Sequence, residues 1–126
     1  MLNQVVYSSF GHHLRAELAK VYERLNIETP FSFGFLCWQF EELLTIGYES
    51  EHDSINIDYG LYQKDKQKVI DAIEKAKAKN MKIKFYIPRP YKENEDDFKI
   101  FKELGVDTVI TDYPIEALEF AKKLEA

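Results

Sequence analysis

The 126-residue sequence contains one cysteine, five glycines and four prolines. A single cysteine excludes an intrachain disulfide and any metal site of the CxxC type. Within the apolar segment FLCWQF, we interpret Cys37 as a small core residue rather than a reactive thiol. The few glycines form no phosphate-binding loop after any apolar segment, and no GxSxG nucleophile motif occurs.

Excess basic charge and long apolar runs are also absent. The net charge is −5 and the lysines alternate with acids, which argues against a nucleic-acid partner because such a partner requires a basic surface. No apolar stretch approaches the roughly 20 residues of a membrane span. The segment MLNQVVYSSFGHH lacks the basic region and apolar run of a signal peptide, so we expect a cytoplasmic protein.

Candidate acid–base and metal-binding residues are few. His12 and His13 would point about 100° apart at the start of a helix, so they cannot easily face one reacting atom and are interpreted as solvated. His52 lies alone in an acidic segment. Two runs of acids lack the spacing and central glycine of a calcium loop and are expected to be solvated: Glu49, Glu51 and Asp53, and Glu93, Glu95, Asp96 and Asp97. No catalytic and no metal-binding residue is therefore assigned.

The sequence does contain a repeated unit, a short apolar strand followed by an amphipathic helix. Segments rich in β-branched and aromatic residues predict five strands at 5–10, 31–36, 54–59, 82–87 and 107–113. Apolar residues recur with the helical period in four segments: 13–26, 66–80, the segment that ends at Gly105, and the segment that begins at Pro114. A shorter helix is expected after FSFGFL.

Alternating short strands and helices predict one α/β domain, over residues 1–126, with a parallel sheet and right-handed crossovers. Two architectures satisfy this pattern. A doubly wound five-stranded sheet fits the length well. A (β/α)8 barrel typically needs about 250 residues, so five units would leave it incomplete. On length alone, the doubly wound sheet is favoured.

The order of local sequences favours the barrel. VVYSSFGHHL, PFSFGFL, the run from SINIDYG to KIKFYI, and FKELGVDTVITDYP resemble, in that order, the second part of the glycerophosphodiester phosphodiesterase family. Ser9-Phe10 is similar to a family strand that ends in Ser-Phe, and residues 104–114 are similar to its final Leu-Gly-Val-Asp-x-x-x-Thr-Asp-x-Pro. The family's aromatic-Thr-x-Asn tail is replaced here by Tyr86-Ile87-Pro88-Arg89. The resemblance implies the C-terminal five units of a (β/α)8 TIM barrel.

The resemblance also implies an activity of lipid metabolism, the metal-assisted hydrolysis of glycerophosphodiesters to an alcohol and glycerol phosphate. In that family, carboxylates hold Mg²⁺ or Ca²⁺ and a histidine pair acts as acid and base, in His-Arg-Gly, Glu-x-Asp and Glu-x-Lys motifs of the first strands. This sequence contains no such constellation. The chain alone is therefore expected to hold no cofactor and to be inactive.

The missing strands predict that this chain associates with another polypeptide chain, and two kinds of partner are expected. The chain is expected to form a homo-oligomer, or to associate with a polypeptide that carries those strands. A small phosphodiester is the expected substrate of the completed protein. A non-catalytic remnant or a small-ligand binding module is the alternative.

In either architecture, ligands bind where parallel strands end. The residues expected to contact the substrate there are Ser9, Phe10, Tyr59, Tyr86, Arg89 and Asp112. Arg89 suits two hydrogen bonds to a phosphate, although an exposed loop arginine is the competing interpretation. Thr111 and Asp112 are also suited to capping the helix that begins at Pro114.

Lys84 poses a separate question, because it shares a strand face with Tyr86. In a barrel that face points inward, and a buried ammonium there would need a carboxylate partner, for which Asp58 and Asp112 are the candidates. A solvated lysine on an edge strand is the other interpretation.

Overall fold

The computed structural model describes residues 6–9, 13–28, 32–43 and 53–125. Five strands form one sheet in the order β1-β2-β3-β4-β5, with every neighbouring pair parallel. The strands are β1 Val6–Ser9, β2 Ser32–Cys37, β3 Ser54–Asp58, β4 Lys82–Tyr86 and β5 Thr108–Ile110. Each strand lies beside the one that follows it in sequence, as in a β/α barrel. A doubly wound sheet reverses this order at a switch point, so the doubly wound alternative is wrong.

Four longer helices lie where the helical period predicted them, and a short helix at residues 59–64 was not predicted. The bounds are α1 Leu14–Arg24, α2 Tyr59–Lys64, α3 Lys66–Ala78, α4 Glu95–Leu104 and α5 Pro114–Glu125. Residues 40–43 form a further helical turn after β2. Gly105 ends α4 in the left-handed conformation with φ 70°, as a helix-stop glycine should.

The two faces of the sheet differ in chemistry. Alternate residues of β2, β3 and β4 are buried and apolar and pack with the helices into one core: Phe35, Cys37, Ile55, Ile57, Ile83 and Phe85. The helices contribute apolar residues of α3, α4 and α5 to that core, among them Val69, Phe101 and Ala117. Full burial of Cys37 agrees with its interpretation as a core residue.

The opposite face, here called the inner face, is largely polar. The register places Gly34, Ser54 and Lys82 side by side across β2, β3 and β4, and Asn56 next to Lys84 one pleat farther along. The Ser54 hydroxyl donates to the Asn56 side-chain oxygen at 3.1 Å, and both residues are buried. A Cβ atom at Gly34 would lie 2.5 Å from Ser54 Oγ, so glycine makes the room that this polar pair occupies.

Two aspartates, each just before a strand, form hydrogen bonds to the backbone of the neighbouring strand. The Asp53 carboxylate accepts from the Phe33 N–H at 2.6 Å, just before β3 begins. The Asp107 carboxylate likewise accepts from the Ile83 N–H at 2.8 Å, just before β5. These bonds set the register with which each strand enters the sheet, and hence which side chains reach its carboxyl end.

Candidate functional site

The carboxyl ends of the strands meet at one edge of the sheet, here called the carboxyl edge. In a parallel β/α fold, this edge is where the strand-to-helix loops gather and where ligands bind. The elements that reach it in this protein are the ends of β1 to β5, the loop of residues 87–94 after β4, and residues 111–113 after β5. Side chains from the last two segments are in direct contact.

Arg89 and Asp112 form a two-point ion pair across these segments. Arg89 Nε lies 2.7 Å from Asp112 Oδ2, and Arg89 Nη2 lies 3.2 Å from Asp112 Oδ1. The hydrogen bond to the guanidinium lowers the pKa of Asp112, and the same contact raises the pKa of Arg89. Because 84% of the Arg89 side chain is exposed, this pair is open to a ligand from solvent.

Tyr86 is the last residue of β4. Its hydroxyl donates to the Cys37 carbonyl oxygen at 3.1 Å and so reaches past β3 to the end of β2. Burial, reinforced by the negative charge of Asp58, raises the pKa of Tyr86, so the hydroxyl stays protonated as a donor. The ring is half-buried and forms a wall of the carboxyl edge.

Tyr59 lies elsewhere, although the sequence placed it at a strand end. Asp58 ends β3, and its carboxylate accepts from the Gly60 N–H at 2.7 Å, which caps α2 at Tyr59. The Tyr59 ring is buried in the core against Phe85 and Phe101. A ligand at the carboxyl edge therefore cannot reach Tyr59 without disrupting the core.

The Tyr59 hydroxyl belongs to a network of hydrogen bonds centred on the buried carboxylate of Asp97. Asp97, which is only 6% exposed, accepts from the Tyr59 and Tyr91 hydroxyls at 2.6 Å each, and from the Asn94 N–H at 2.9 Å. The Asn94 side-chain oxygen accepts from the Asp97 N–H in turn, which completes a capping box at the start of α4. Burial and the bond to Asp97 raise the pKa of Tyr91 to about 12.

Glu93 is a second buried acid, only 3% exposed, in the loop after β4. Its Oε1 accepts from the Thr111 hydroxyl, and Thr111 Oγ1 in turn accepts from the Tyr113 N–H at 2.9 Å. Glu93 Oε2 is buried without a hydrogen-bond partner in the described residues. The expectation that Glu93 and Asp97 belong to a solvated acidic run is therefore wrong. Thr111 connects the segment after β5 to the loop after β4.

Lys84 is half-buried on the inner face of β4, which is an interior strand of the sheet. The interpretation as an edge-strand lysine is therefore wrong. Neither expected carboxylate pairs with Lys84, since Asp58 caps α2 and Asp112 binds Arg89.

The remaining expected residues are only partly described. Ser9 ends β1, opposite Phe35 of β2, whereas Phe10 and the histidines His12 and His52 lie outside the described residues. His13 is exposed just before α1. Within the described ranges, no group of three or more His, Cys, Asp or Glu side chains could hold a metal ion. None of the described helices is long and apolar enough to cross a membrane.

Comparison with known proteins identifies the fold. No protein-family model and no curated protein matches the sequence. The structure matches that of a protein from Galdieria sulphuraria assigned as a glycerophosphodiester phosphodiesterase, with a TM-score of 0.70 and 17% sequence identity. The match covers 95% of this chain and 44% of that chain, so this chain spans less than half of the protein it resembles. The chain thus has the fold of a TIM-barrel-type phosphodiesterase, and its coverage fits the C-terminal part that the sequence resemblance implied.

Proposed function

We propose that this chain is part of a glycerophosphodiester phosphodiesterase-like barrel and that its carboxyl edge binds a small phosphodiester. The observation that carries the proposal is the exposed Arg89–Asp112 pair, which presents a guanidinium between the ends of β4 and β5. The fold shared with the Galdieria protein supports this location, because such barrels bind their substrates at the carboxyl edge.

Arg89 is the proposed phosphate ligand. A guanidinium carries five N–H donors, and the two donated to Asp112 leave three for phosphate oxygens. Asp112 holds the guanidinium in one orientation, which lowers the entropic cost of binding. Tyr86 supplies an aromatic wall for the glycerol group, and Ser9 and Phe10 are proposed on the β1 side. Tyr59 is left out because it is buried.

Hydrolysis needs groups that the described residues do not supply. The cation-binding carboxylates and the histidine pair implied by the resemblance have no counterpart among them. The described residues therefore do not offer a set of ligands that fits Mg²⁺ or Ca²⁺. We propose that catalytic groups come from a polypeptide that carries the missing strands. The absence of these catalytic groups from the described residues favours a second candidate, a non-catalytic binding module. For both candidates we propose a cytoplasmic location.

Binding is tested by titrating the chain with glycerol 3-phosphate and following backbone amide signals by NMR. We expect shifts centred on residues 86–89 and 111–113. Arg89→Gln should weaken binding by about 10-fold or more, because it removes a charge-assisted contact. Arg24→Gln, at an exposed arginine of α1, is the matched control and should leave binding unchanged. Equal affinities for the wild type and Arg89→Gln would refute the assigned phosphate site.

Turnover is tested separately with glycerophosphocholine and either Mg²⁺ or Ca²⁺. The chain alone should bind the compound without hydrolysing it, and clear turnover would overturn the proposal that the catalytic groups lie elsewhere. Activity that appears when a polypeptide with the His-Arg-Gly and Glu-x-Asp motifs is added would support the enzyme. Binding that never leads to turnover would support the non-catalytic module.

A further inference from the structure

Lys84 carries a positive charge on an interior strand without a carboxylate to match it. The side chain is half-buried on the inner face of β4, between Asn56 of β3 and Thr108 of β5 in the register. Both neighbours are uncharged, and within the described residues Lys84 takes part in no ion pair. A half-buried ammonium is costly unless a negative group compensates it. An anionic ligand would supply that group.

The two cations of the loop after β4 already have carboxylate partners. Arg89 is paired with Asp112, and Lys92 Nζ lies 3.9 Å from Glu116 Oε1. An anion at Arg89 is attracted by the guanidinium but repelled by the Asp112 carboxylate, because the pair as a whole carries no net charge. Lys84 is thus the cation of β4 that can give this part of the carboxyl edge a net positive charge.

Lys84 is close enough to the carboxyl edge to act there. It lies two residues before Tyr86, the last residue of β4, which is about 7 Å along the strand. A lysine side chain is a flexible four-carbon stem that ends in the ammonium, so it can extend towards that edge. Lys82 shares the same face but begins the strand, about 13 Å from Tyr86, and is exposed. Lys82 is therefore a natural control for Lys84.

The inner face is open beside Lys84, in a region here called the β4–β5 niche and formed by Lys84, Tyr86, Thr108 and Ile110. The Tyr86 hydroxyl donates to the Cys37 carbonyl oxygen at 3.1 Å, so the ring leans towards β2 and away from β5. On the β5 side, Thr108 and Ile110 are the register partners of Lys84 and Tyr86, and both are exposed. A small ligand can therefore enter the niche from solvent.

The Arg89–Asp112 pair lies at the rim of this niche. The Ile87 N–H donates to the Ile110 carbonyl oxygen at 3.0 Å, so the chain that leaves β4 stays beside the end of β5. Arg89 lies two residues beyond Ile87, and Asp112 lies two residues beyond Ile110. The guanidinium thus borders the niche at the carboxyl edge, and Lys84 lies at its floor. A phosphate group has several oxygens and can accept from both cations at once.

We propose that Lys84 is a second phosphate ligand, which binds the phosphate group of a small phosphate ester in the β4–β5 niche together with Arg89. This inference rests on the proposed function and adds that the ligand lies against the inner face of the sheet. Arg89 orients the phosphate through its planar donors, and Lys84 contributes the net positive charge that the Arg89–Asp112 pair lacks. The unmatched ammonium of Lys84 is then a cost to the fold that ligand binding offsets.

The test compares binding with stability in one variant. Lys84→Met should lower the affinity for glycerol 3-phosphate about 10-fold, as loss of a charge-assisted contact does, measured by isothermal titration calorimetry. Its melting temperature, followed by circular dichroism, should be at least that of the wild type, because methionine fills the site without an unmatched charge. Lys82→Met, on the same face of the same strand, is the matched control and should bind like the wild type.

NMR of the wild type gives a second readout, since glycerol 3-phosphate should shift the ε-methylene signals of Lys84 and leave those of Lys82 in place. Affinity that falls in Arg89→Gln but not in Lys84→Met would overturn the role of Lys84 and leave the proposed function standing. Equal weakening by Lys82→Met, or a melting temperature that Lys84→Met lowers, would also overturn it. Absence of any binding to the wild-type chain would refute the proposed function, and this inference with it.

Discussion

Asp97 is held by three hydrogen bonds, from the Tyr59 and Tyr91 hydroxyls and from the Asn94 N–H. One bond joins α2 to the start of α4, and the other two join the loop of residues 87–94 to it. A buried carboxylate is retained only where its oxygens accept such bonds, because an unpaired buried charge is costly. At the residue scale, this network fixes the loop of residues 87–94, which carries Arg89 and Glu93.

Replacing Asp97 with alanine should therefore be strongly destabilising. The variant loses the capping box and leaves the buried Tyr59 hydroxyl and the half-buried Tyr91 hydroxyl without their acceptor, so we expect the free energy of unfolding to fall by about 3 kcal/mol. Asp96→Ala removes a neighbouring exposed carboxylate whose ion pair, with Lys99 at 3.6 Å, is also exposed, so its effect should stay below about 0.5 kcal/mol. Urea unfolding followed by circular dichroism measures both. Equal losses for the two variants would rule out the network as the cause.

The tyrosines of this network predict how stability depends on pH. The pKa of Tyr91 is raised to about 12, and burial also raises the pKa of Tyr59. An unfolded tyrosine ionises near pH 10, so between about pH 10 and 12 the unfolded chain releases protons that the folded protein retains. The stabilisation that these tyrosines contribute is fully present below pH 10, and the free energy of unfolding should fall as the pH rises through this window.

Urea unfolding at pH 9, 10 and 11 measures this loss. Tyr91→Phe removes one of the shifted groups, so the fall in unfolding free energy between pH 9 and 11 should be smaller in the variant. An equally steep fall in the variant would show that Tyr91 does not contribute to it.

At the scale of elements, the inner face depends on a glycine in β2. A Cβ atom at Gly34 would lie 2.5 Å from Ser54 Oγ and 2.9 Å from Asn56 Oδ1, in a part of the sheet where both side chains are buried. Gly34→Ala should lower the unfolding free energy by about 1–3 kcal/mol through overpacking.

Thermal unfolding in a double-mutant cycle checks this prediction. Adding Ser54→Ala removes the nearest clashing atom, so the pair should be more stable than the sum of the two single changes predicts. Strict additivity would contradict the close contact.

The sequence predicted those elements whose signals are local. Apolar residues at the helical period located α1, α3, α4 and α5, and Gly105 located the end of α4. The short helix α2 was missed because the alternation of polar and apolar residues in β3 continues without a break into Tyr59. What ends the strand is the Asp58 side chain, which caps the next turn, and a signal for it was present in the Asp58-x-Gly60 pattern typical of tight turns.

The candidate site was predictable only in its location. Because parallel strands end at one edge, the sequence placed Tyr86, Arg89 and Asp112 there, and the structure brings Arg89 and Asp112 into contact. The burial of Glu93 and Asp97 was not predictable from their acidic neighbours. It depends on hydroxyls from distant positions, with 18 residues separating Thr111 from Glu93 and 38 separating Tyr59 from Asp97.

At the scale of the whole molecule, burial decreases from the centre of the chain towards its two ends. The central strands β2, β3 and β4 supply most of the fully buried side chains, whereas β5 has no buried residue and each terminal helix has one. Regions with few buried apolar contacts open with the lowest free energies. Local stability is therefore lowest at the two lateral ends of the sheet.

Amide hydrogen exchange should show this gradient directly. We expect the slowest exchange in β3 and β4, and much faster exchange in α1 and α5 in dilute protein, because opening the ends costs less than opening the core. The central helix α3, which buries four residues, is the internal reference and should exchange more slowly than either terminal helix. Equal protection of α1, α3 and α5 would contradict the gradient, because the terminal helices bury one residue each and α3 buries four.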